Sequence, residues 1–464
     1  MKTILTGLEP SIARCYLTTS DQVIKHYGVK WALIRLGNAV NYLSYKKNQV
    51  AGRVNDTVWR LSTFIHNSYS QVSSNVQVLV GRISHAVVPM ATKEQKNRVS
   101  YGIAAFANEL CSKISASQPI GQSYAISPIS IIAVLGMCLN IIKEEKKSFF
   151  LKKIGFGELT EMEAHVAIAE TLKNMALPES FKDGSIDIAQ GLAAKKHIVF
   201  DEQLVAILSE IYSSELIVSD DLQTQVNLWV ASKTHNEIKE ILPDNNSDFV
   251  FLNAVYLNLK WAQTFEKSEW GWRLGQFSCT NGVAAEVSMM TQVENYRVYR
   301  GDIFDMLEKP YRTPTGRQLS QLIFLPHHPS LLDAMEANLM PEMIKKCRKD
   351  AQWEYGVHLT MPKIRAECSL SLLNILKGMG LPLDSIDHNQ ISDILHKTVI
   401  SNDEEGTVAA AVTAIVNESC CLAEPIKIPV FCIDHSYAYL IMDKETMLFR
   451  GRISDATPLI VDKN

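Results

Sequence analysis

Residues 404–416 read Glu-Glu-Gly-Thr-Val-Ala-Ala-Ala-Val-Thr-Ala-Ile-Val, and no other stretch limits the possible folds of this chain so tightly. Two carboxylates and a glycine precede ten residues that are small or β-branched. In a helix the alanines are favourable, but Thr407, Val408, Val412 and Thr413 lose side-chain freedom against the preceding turn. In a strand the segment has two narrow faces. Thr407, Ala409, Ala411 and Thr413 form one, and Val408, Ala410, Val412 and Ala414 form the other. Narrow faces on both sides suit a strand that slides between two strands of an existing sheet, with Gly406 as the flexible pivot. An ordinary Ala-rich surface helix is the competing reading of these residues taken alone.

The remaining chain is long enough to supply such a sheet. Its 464 residues allow a large core and two or three domains. Short β-like runs at 249–257, 319–325, 357–361, 426–432 and 438–442 are interspersed with helical patterns at 101–114, 202–212, 226–242, 331–337 and 370–379. The alternation is irregular and has no fixed period, which predicts an α+β fold rather than a wound α/β sheet.

The net charge of −4 gives no basis for a nucleic-acid partner. It is unevenly spread, however. Residues 1–90 hold 10 Lys+Arg against 3 Asp+Glu, and the rest hold 36 against 47. This predicts a basic, mostly helical extension over 1–91 joined to an acidic body over 92–464. Val29, Ala32, Leu33, Leu36, Val40 and Leu43 share one helical face there. Packing within its own domain is the ordinary use of such a face, and a targeting signal is the alternative. The polar run from Pro89 to Asn97 reads as a linker. Lys2, Glu9 and Arg14 interrupt the first twenty residues, a poor secretory signal, and no apolar run approaches the ~18 residues needed to span a bilayer. The expected location is cytoplasmic, or wherever delivery without a signal peptide leads.

Nine cysteines, an odd number with no C-x-x-C spacing, argue against a disulfide framework or a zinc site and for free thiols. There is no G-x-S-x-G elbow, phosphate loop or H-E-x-x-H, so neither an enzyme nor a cofactor is expected. Pro326 and Pro329 flank His327-His328 and mark a turn rather than a metal site.

Several motifs then fall in a telling order. Ile126-Ser-Pro-Ile-Ser opens an apolar run, and Phe251-Leu-Asn-Ala-Val-Tyr-Leu-Asn-Leu-Lys-Trp261 sets Trp eight residues after Asn253. Ser288-Met-Met-Thr-Gln292, Leu359-Thr-Met-Pro-Lys363, His396-Lys397, the 404–411 segment and Phe449-Arg-Gly-Arg-Ile453 follow. Together they resemble the serpins over residues 95–460, closest in style to the intracellular leukocyte elastase inhibitor type. The resemblance implies a large central β-sheet, further sheets, about nine helices and an exposed reactive-centre loop, beside the N-terminal extension. Departures include Ser123 where Asn is usual, Asn236 and Leu259 where Gly is usual, and Ser436 and Ala456 where Pro is common.

What the resemblance implies about function is a suicide inhibitor. A protease attacks the loop, and the cut strand inserts into the central sheet and traps the acyl-enzyme. Glu404, Glu405, Gly406, Thr407, Ala409, Ala410, Ala411 and Thr413 would be the hinge. Ser127, Asn253 and His396 would form a shutter under the sheet, and Trp261 a breach where insertion starts. Counting fourteen residues on from Gly406 puts the reactive bond at Cys420-Cys421, whereas a backward count from Asp434-His435 lies nearer Ala423. The expected partner is an elastase-like or chymotrypsin-like serine protease, with a cysteine protease as another option, met by a monomer. A non-inhibitory binding or chaperone-like protein on the same fold is the alternative.

Overall fold

The structure is a computed structural model that describes residues 93–461 apart from 118, 120, 179, 201, 266–272, 315, 384–389 and 407–427. Among the described residues there are nine helices and fourteen strands. The first part runs α1 (Lys93–Ser117), β1 (Tyr124–Ile126), α2 (Pro128–Leu139), α3 (Glu144–Lys153), α4 (Glu161–Met175), β2 (Gly184–Ala194), α5 (Glu202–Glu210) and β3 (Glu215–Val218). The middle holds α6 (Leu222–Lys233), β4 (Phe249–Leu259), β5 (Arg273–Ser278), β6 (Ala284–Arg300), β7 (Phe304–Pro310) and β8 (Leu319–Pro326). Then come α7 (Leu332–Asn338), α8 (Pro341–Asp350), β9 (Gln352–Pro362), β10 (Ile364–Ser371), α9 (Leu373–Gly378) and β11 (Asp393–Asn402). The C-terminal part is β12 (Val430–Cys432), β13 (Tyr437–Asp443) and β14 (Thr446–Ile453).

The strands make two sheets. One follows the order β1-β14-β13-β8-β7-β6-β9-β12, with β5 also on β6; the other has the order β10-β11-β4-β2-β3. In the second sheet β11 lies parallel to β4, with Asp393 to Ile400 facing Val250 to Leu257. Parallel pairing is the less stable kind per residue, and in this sheet it occurs at the edge pair β2–β3 and, in the interior, at this seam.

Two helices cover the seam strands. Ser127 follows β1 as the N-cap of α2, and Pro128 opens that helix at a position that needs no N–H. Every residue of α2 is buried, which explains why Ile129–Leu139 is apolar all round except at Ser130. On the opposite face, Leu222, Val226 and Val230 of α6 pack on Ala193, Leu252, Ala254 and Tyr256 of β2 and β4. Alternation along β4 thus sends Leu252 and Ala254 towards α6 and Asn253 towards α2.

Some sequence expectations need correction. The 226–242 pattern is helical only to Lys233. The Thr234 hydroxyl donates back to Val230 O at 2.8 Å, and His235 and Asn236 then turn left-handed (φ 52° and 64°). The polar run from Pro89 to Asn97, expected as a linker, is helical from Lys93, where it forms the first turn of α1. Leu370 belongs to β10, not to the helix that starts at Leu373. The 426–432 run is a strand over Val430–Cys432, with 426 and 427 outside the described residues. Ser123 replaces an amide with a compact knot: its hydroxyl donates to Asp455 Oδ1 at 2.9 Å and accepts from Ser454 and Asp455 N–H. The 1–91 extension lies outside the described residues.

Candidate functional site: the β4–β11 seam and its head

Asn253 on β4 and His396 on β11 are directly opposite each other across the seam. His396 Nδ1 donates to Asn253 Oδ1 at 2.5 Å, and His396 Nε2 accepts from the Ser127 backbone N–H at 3.3 Å. Ser130 on α2 donates to the same Asn253 oxygen at 2.8 Å, and Asn253 Nδ2 donates to Ser130 O. These contacts fix the neutral Nδ1–H tautomer. Burial pushes the imidazole down to about 3, so it carries no charge at neutral pH. Ser127, Asn253 and His396 are thus brought together, with Ser130 as a fourth member. The Ser127 hydroxyl is buried and has no hydrogen-bond partner among the described residues.

The head of the seam is built around Gly406. After β11 the chain turns at Asp403, whose Oδ1 accepts from the N–H groups of Glu405 and Gly406 at 2.9 and 3.0 Å. Gly406 then pairs antiparallel with Lys260, just beyond β4, while its carbonyl accepts from Asp403 N–H at 2.7 Å. Glu405 O accepts from Trp261 N–H at 2.9 Å, and Glu404 O from Phe265 N–H at 2.8 Å. The returning backbone is therefore hydrogen-bonded to the ends of both parallel strands. Only glycine fits here: φ is +146°, and a Cβ would lie 2.2 Å from Leu259 O.

Side chains close this turn from the outside. Trp261 is buried, stacks on Tyr311 at 4.5 Å and donates through Nε1 to Asp403 O at 3.0 Å. Glu404 pairs with Lys363 at 2.6 Å. Beneath Trp261 lies Lys309, a buried lysine on β7. Its ammonium sits 4.9, 4.2 and 5.6 Å from the rings of Trp261, Phe265 and Tyr296, and donates to Gln292 Oε1 at 2.7 Å. Burial pushes this amine down to about 7, against the attraction of the Glu294 carboxylate, which favours the charged form.

Trp261, Glu404, Glu405 and Gly406 thus meet at one place, while Thr407, Ala409, Ala410, Ala411, Thr413, Cys420 and Cys421 lie outside the described residues. Asp403, Tyr311 and Lys309 were not singled out by sequence reasoning. Asp403 carried a usable signal, since Asp three residues before Gly favours a side-chain-capped turn. Lys309 carried none, because its burial depends on rings contributed by other strands. Among the described residues no group of His, Cys, Asp or Glu can hold a metal ion, and no helix is long and apolar enough to cross a membrane.

A family model described as serpin (serine protease inhibitor) matches residues 101–456, and the chain belongs to that family. Human Serpin B4 is 26% identical over 366 residues, covering 71% of this chain and 92% of that protein. A serpin-like protein of Thermococcus kodakarensis is 30% identical over 272 residues, covering 54% of this chain and 62% of that relative. Among solved structures, human thyroxine-binding globulin in complex with thyroxine superposes with a TM-score of 0.68 at 21% identity, covering 79% of this chain and 100% of that one. A likeness at that identity speaks for the fold alone.

Proposed function

We propose that this protein inhibits a protease as a suicide substrate, by inserting its cleaved loop between β4 and β11. The observation that carries the reading is the Gly406 turn. A strand between two parallel neighbours is antiparallel to both if it returns from a turn, and residues 405–406 already make that return at the seam's head. The segment that follows has the small side chains such a slot demands.

The register can be continued from the Gly406–Lys260 pair. Seven residues further on, Thr413 falls opposite Asn253, facing α2. Thr407, Ala409 and Ala411 share that face, and Val408, Ala410 and Val412 face α6. When the seam parts, the His396–Asn253 bond breaks and the Thr413 hydroxyl takes its place. Cleavage at Cys420-Cys421 frees enough chain for this strand, and the acyl-linked protease is carried along with it. Trp261 and the Glu404–Lys363 pair hold the entry closed beforehand. The stored free energy lies in the less favourable parallel seam and its buried polar knot.

Nicking the loop anywhere between residues 414 and 427 and then measuring thermal unfolding tests insertion without knowledge of the target. A large upward shift of Tm is expected. An unchanged Tm would favour the non-inhibitory binding or chaperone-like alternative.

A further inference from the structure

Residues 261–265, just beyond β4, are held from two sides. Towards the head of the seam, Trp261 and Phe265 donate their backbone N–H groups to Glu405 O and Glu404 O at 2.9 and 2.8 Å. Towards the larger sheet, Ala262 N–H donates to Pro310 O at 3.0 Å. Gln263 O accepts from Lys309 Nζ at 3.3 Å, and Thr264 O accepts from the Gln292 side chain at 2.8 Å. The rings of Trp261 and Phe265 lie over the same ammonium. The segment is therefore a shared wall. A shift that releases it from the turn at 404–406 also lifts two rings and a carbonyl off Lys309.

Lys309 is 1% exposed, and among the described residues its hydrogen bonds go to neutral acceptors, namely Gln292 Oε1, Gln263 O and the Tyr296 hydroxyl. A buried cation without a paired carboxylate gives up its proton readily. Burial takes this amine from 10.5 down to about 7, and contact with water would restore the higher value. Other charged or titratable groups face the cage or the head. Glu294 and Tyr296 lie on β6, and Tyr311 lies just after β7. Asp403, Glu404 and Glu405 line the turn, with Lys363 paired to Glu404. From β8 the residue paired with Lys309 is Gln321, which does not titrate. Burial pushes the Tyr296 hydroxyl up, away from neutral pH, and His396 sits at about 3.

We infer that residues 261–265 and Lys309 form a proton-linked latch, in which the lysine takes up a proton as the wall lifts and so couples release of the seam's head to pH. Above about pH 7 the caged amine is neutral and the uncovered amine is charged. Each further pH unit then lowers the population of the lifted state by up to about ten-fold. Below about pH 7 both amines are charged, and the dependence vanishes. The linkage itself goes beyond the proposed function; its consequence for inhibition rests on that reading. The loop enters fastest at neutral pH and below, and alkali holds the head closed.

The test follows hydrogen exchange of the 261–265 amides in the uncleaved protein from pH 6 to 9. Each rate is divided by that of an unprotected chain at the same pH, and β13 serves as the internal reference. The resulting opening ratio should be level below about pH 7 and should fall about ten-fold or more between pH 7 and 9. Lys309→Met should show a level ratio throughout. Glu294→Gln removes an attraction for the ammonium and should move the break to lower pH. Equal slopes in the intact protein and Lys309→Met would overturn the latch, as would a level ratio in the intact protein. A slope in β13 that matches the one in 261–265 would overturn it too, by showing that pH acts on the whole molecule. A slope that depends on Lys309, found together with an unchanged Tm after the loop is nicked, would support the latch while the inhibitory reading falls.

Discussion

His396 Nδ1 donates to Asn253 Oδ1 at 2.5 Å across the seam between two parallel strands, and the imidazole is fully buried. Its other nitrogen accepts from Ser127 N–H. Adding a proton would set two donors against each other, so the seam holds only while the ring is neutral.

Burial depresses the folded-state value to about 3, below the usual 6.5 of an unfolded histidine. The unfolded state therefore binds the extra proton between those limits. Stability from this group is complete above about pH 6.5 and is lost as pH falls towards 3, at up to about 1.4 kcal/mol per pH unit. Thermal unfolding at pH 7, 6, 5 and 4 should show a progressive fall in Tm, and His396→Gln should flatten that slope. An equally steep slope in the variant would place the acid sensitivity elsewhere.

Gly406→Ala introduces a Cβ 2.2 Å from Leu259 O at a φ that L-residues avoid. The expected cost is about 1–3 kcal/mol at the turn. Hydrogen exchange of the Gly406 neighbours Trp261 and Phe265 should speed up, because their N–H groups lose the Glu405 and Glu404 carbonyls. Unchanged protection of both amides would mean that the turn does not hold the head of the seam.

Much of this site was legible in the sequence, for physical reasons that differ by residue. Gly406 and the small residues after it advertise themselves, since few other structures need both together. Asn253, in the apolar run 249–257, announced a buried polar group that required a partner. Its partner His396 is 143 residues away, and composition alone does not pair two such distant strands; the order of motifs did. The 226–242 helix was overread because its apolar spacing continues past the left-handed break at His235 and Asn236. Lys309 stayed hidden because a lysine in a strand is ordinarily a solvated residue, and the cage that buries it is assembled from β6, β7 and the chain after β4.

Lys309→Met should raise native stability by roughly 1–2 kcal/mol, because a flexible apolar chain fills the same cage without a buried charge. Tyr296 already donates to Gln292 Oε1 at 2.8 Å, which keeps that oxygen satisfied. Tm measured by calorimetry decides it. A fall of several degrees would show that the rings and carbonyls hold the cation at a net gain.

Thr407→Arg places a long charged side chain on the face that must enter the core, so insertion should stall. Protease titration should then show at least ten-fold more inhibitor cleaved per enzyme trapped. Thr413→Val tests the register separately: the cleaved form should lose about 1–3 kcal/mol while the uncleaved form is unchanged, since Asn253 loses a partner only after insertion. Equal losses in both forms would contradict the pairing of Thr413 with Asn253.

The most direct test of the trap is incubation with a small panel of serine and cysteine proteases, read on denaturing gels and by intact mass. A complex that survives denaturation, together with a released peptide beginning at Cys421, is the predicted result. Clean cleavage of the loop with every protease, active enzyme recovered and no covalent complex, would contradict it.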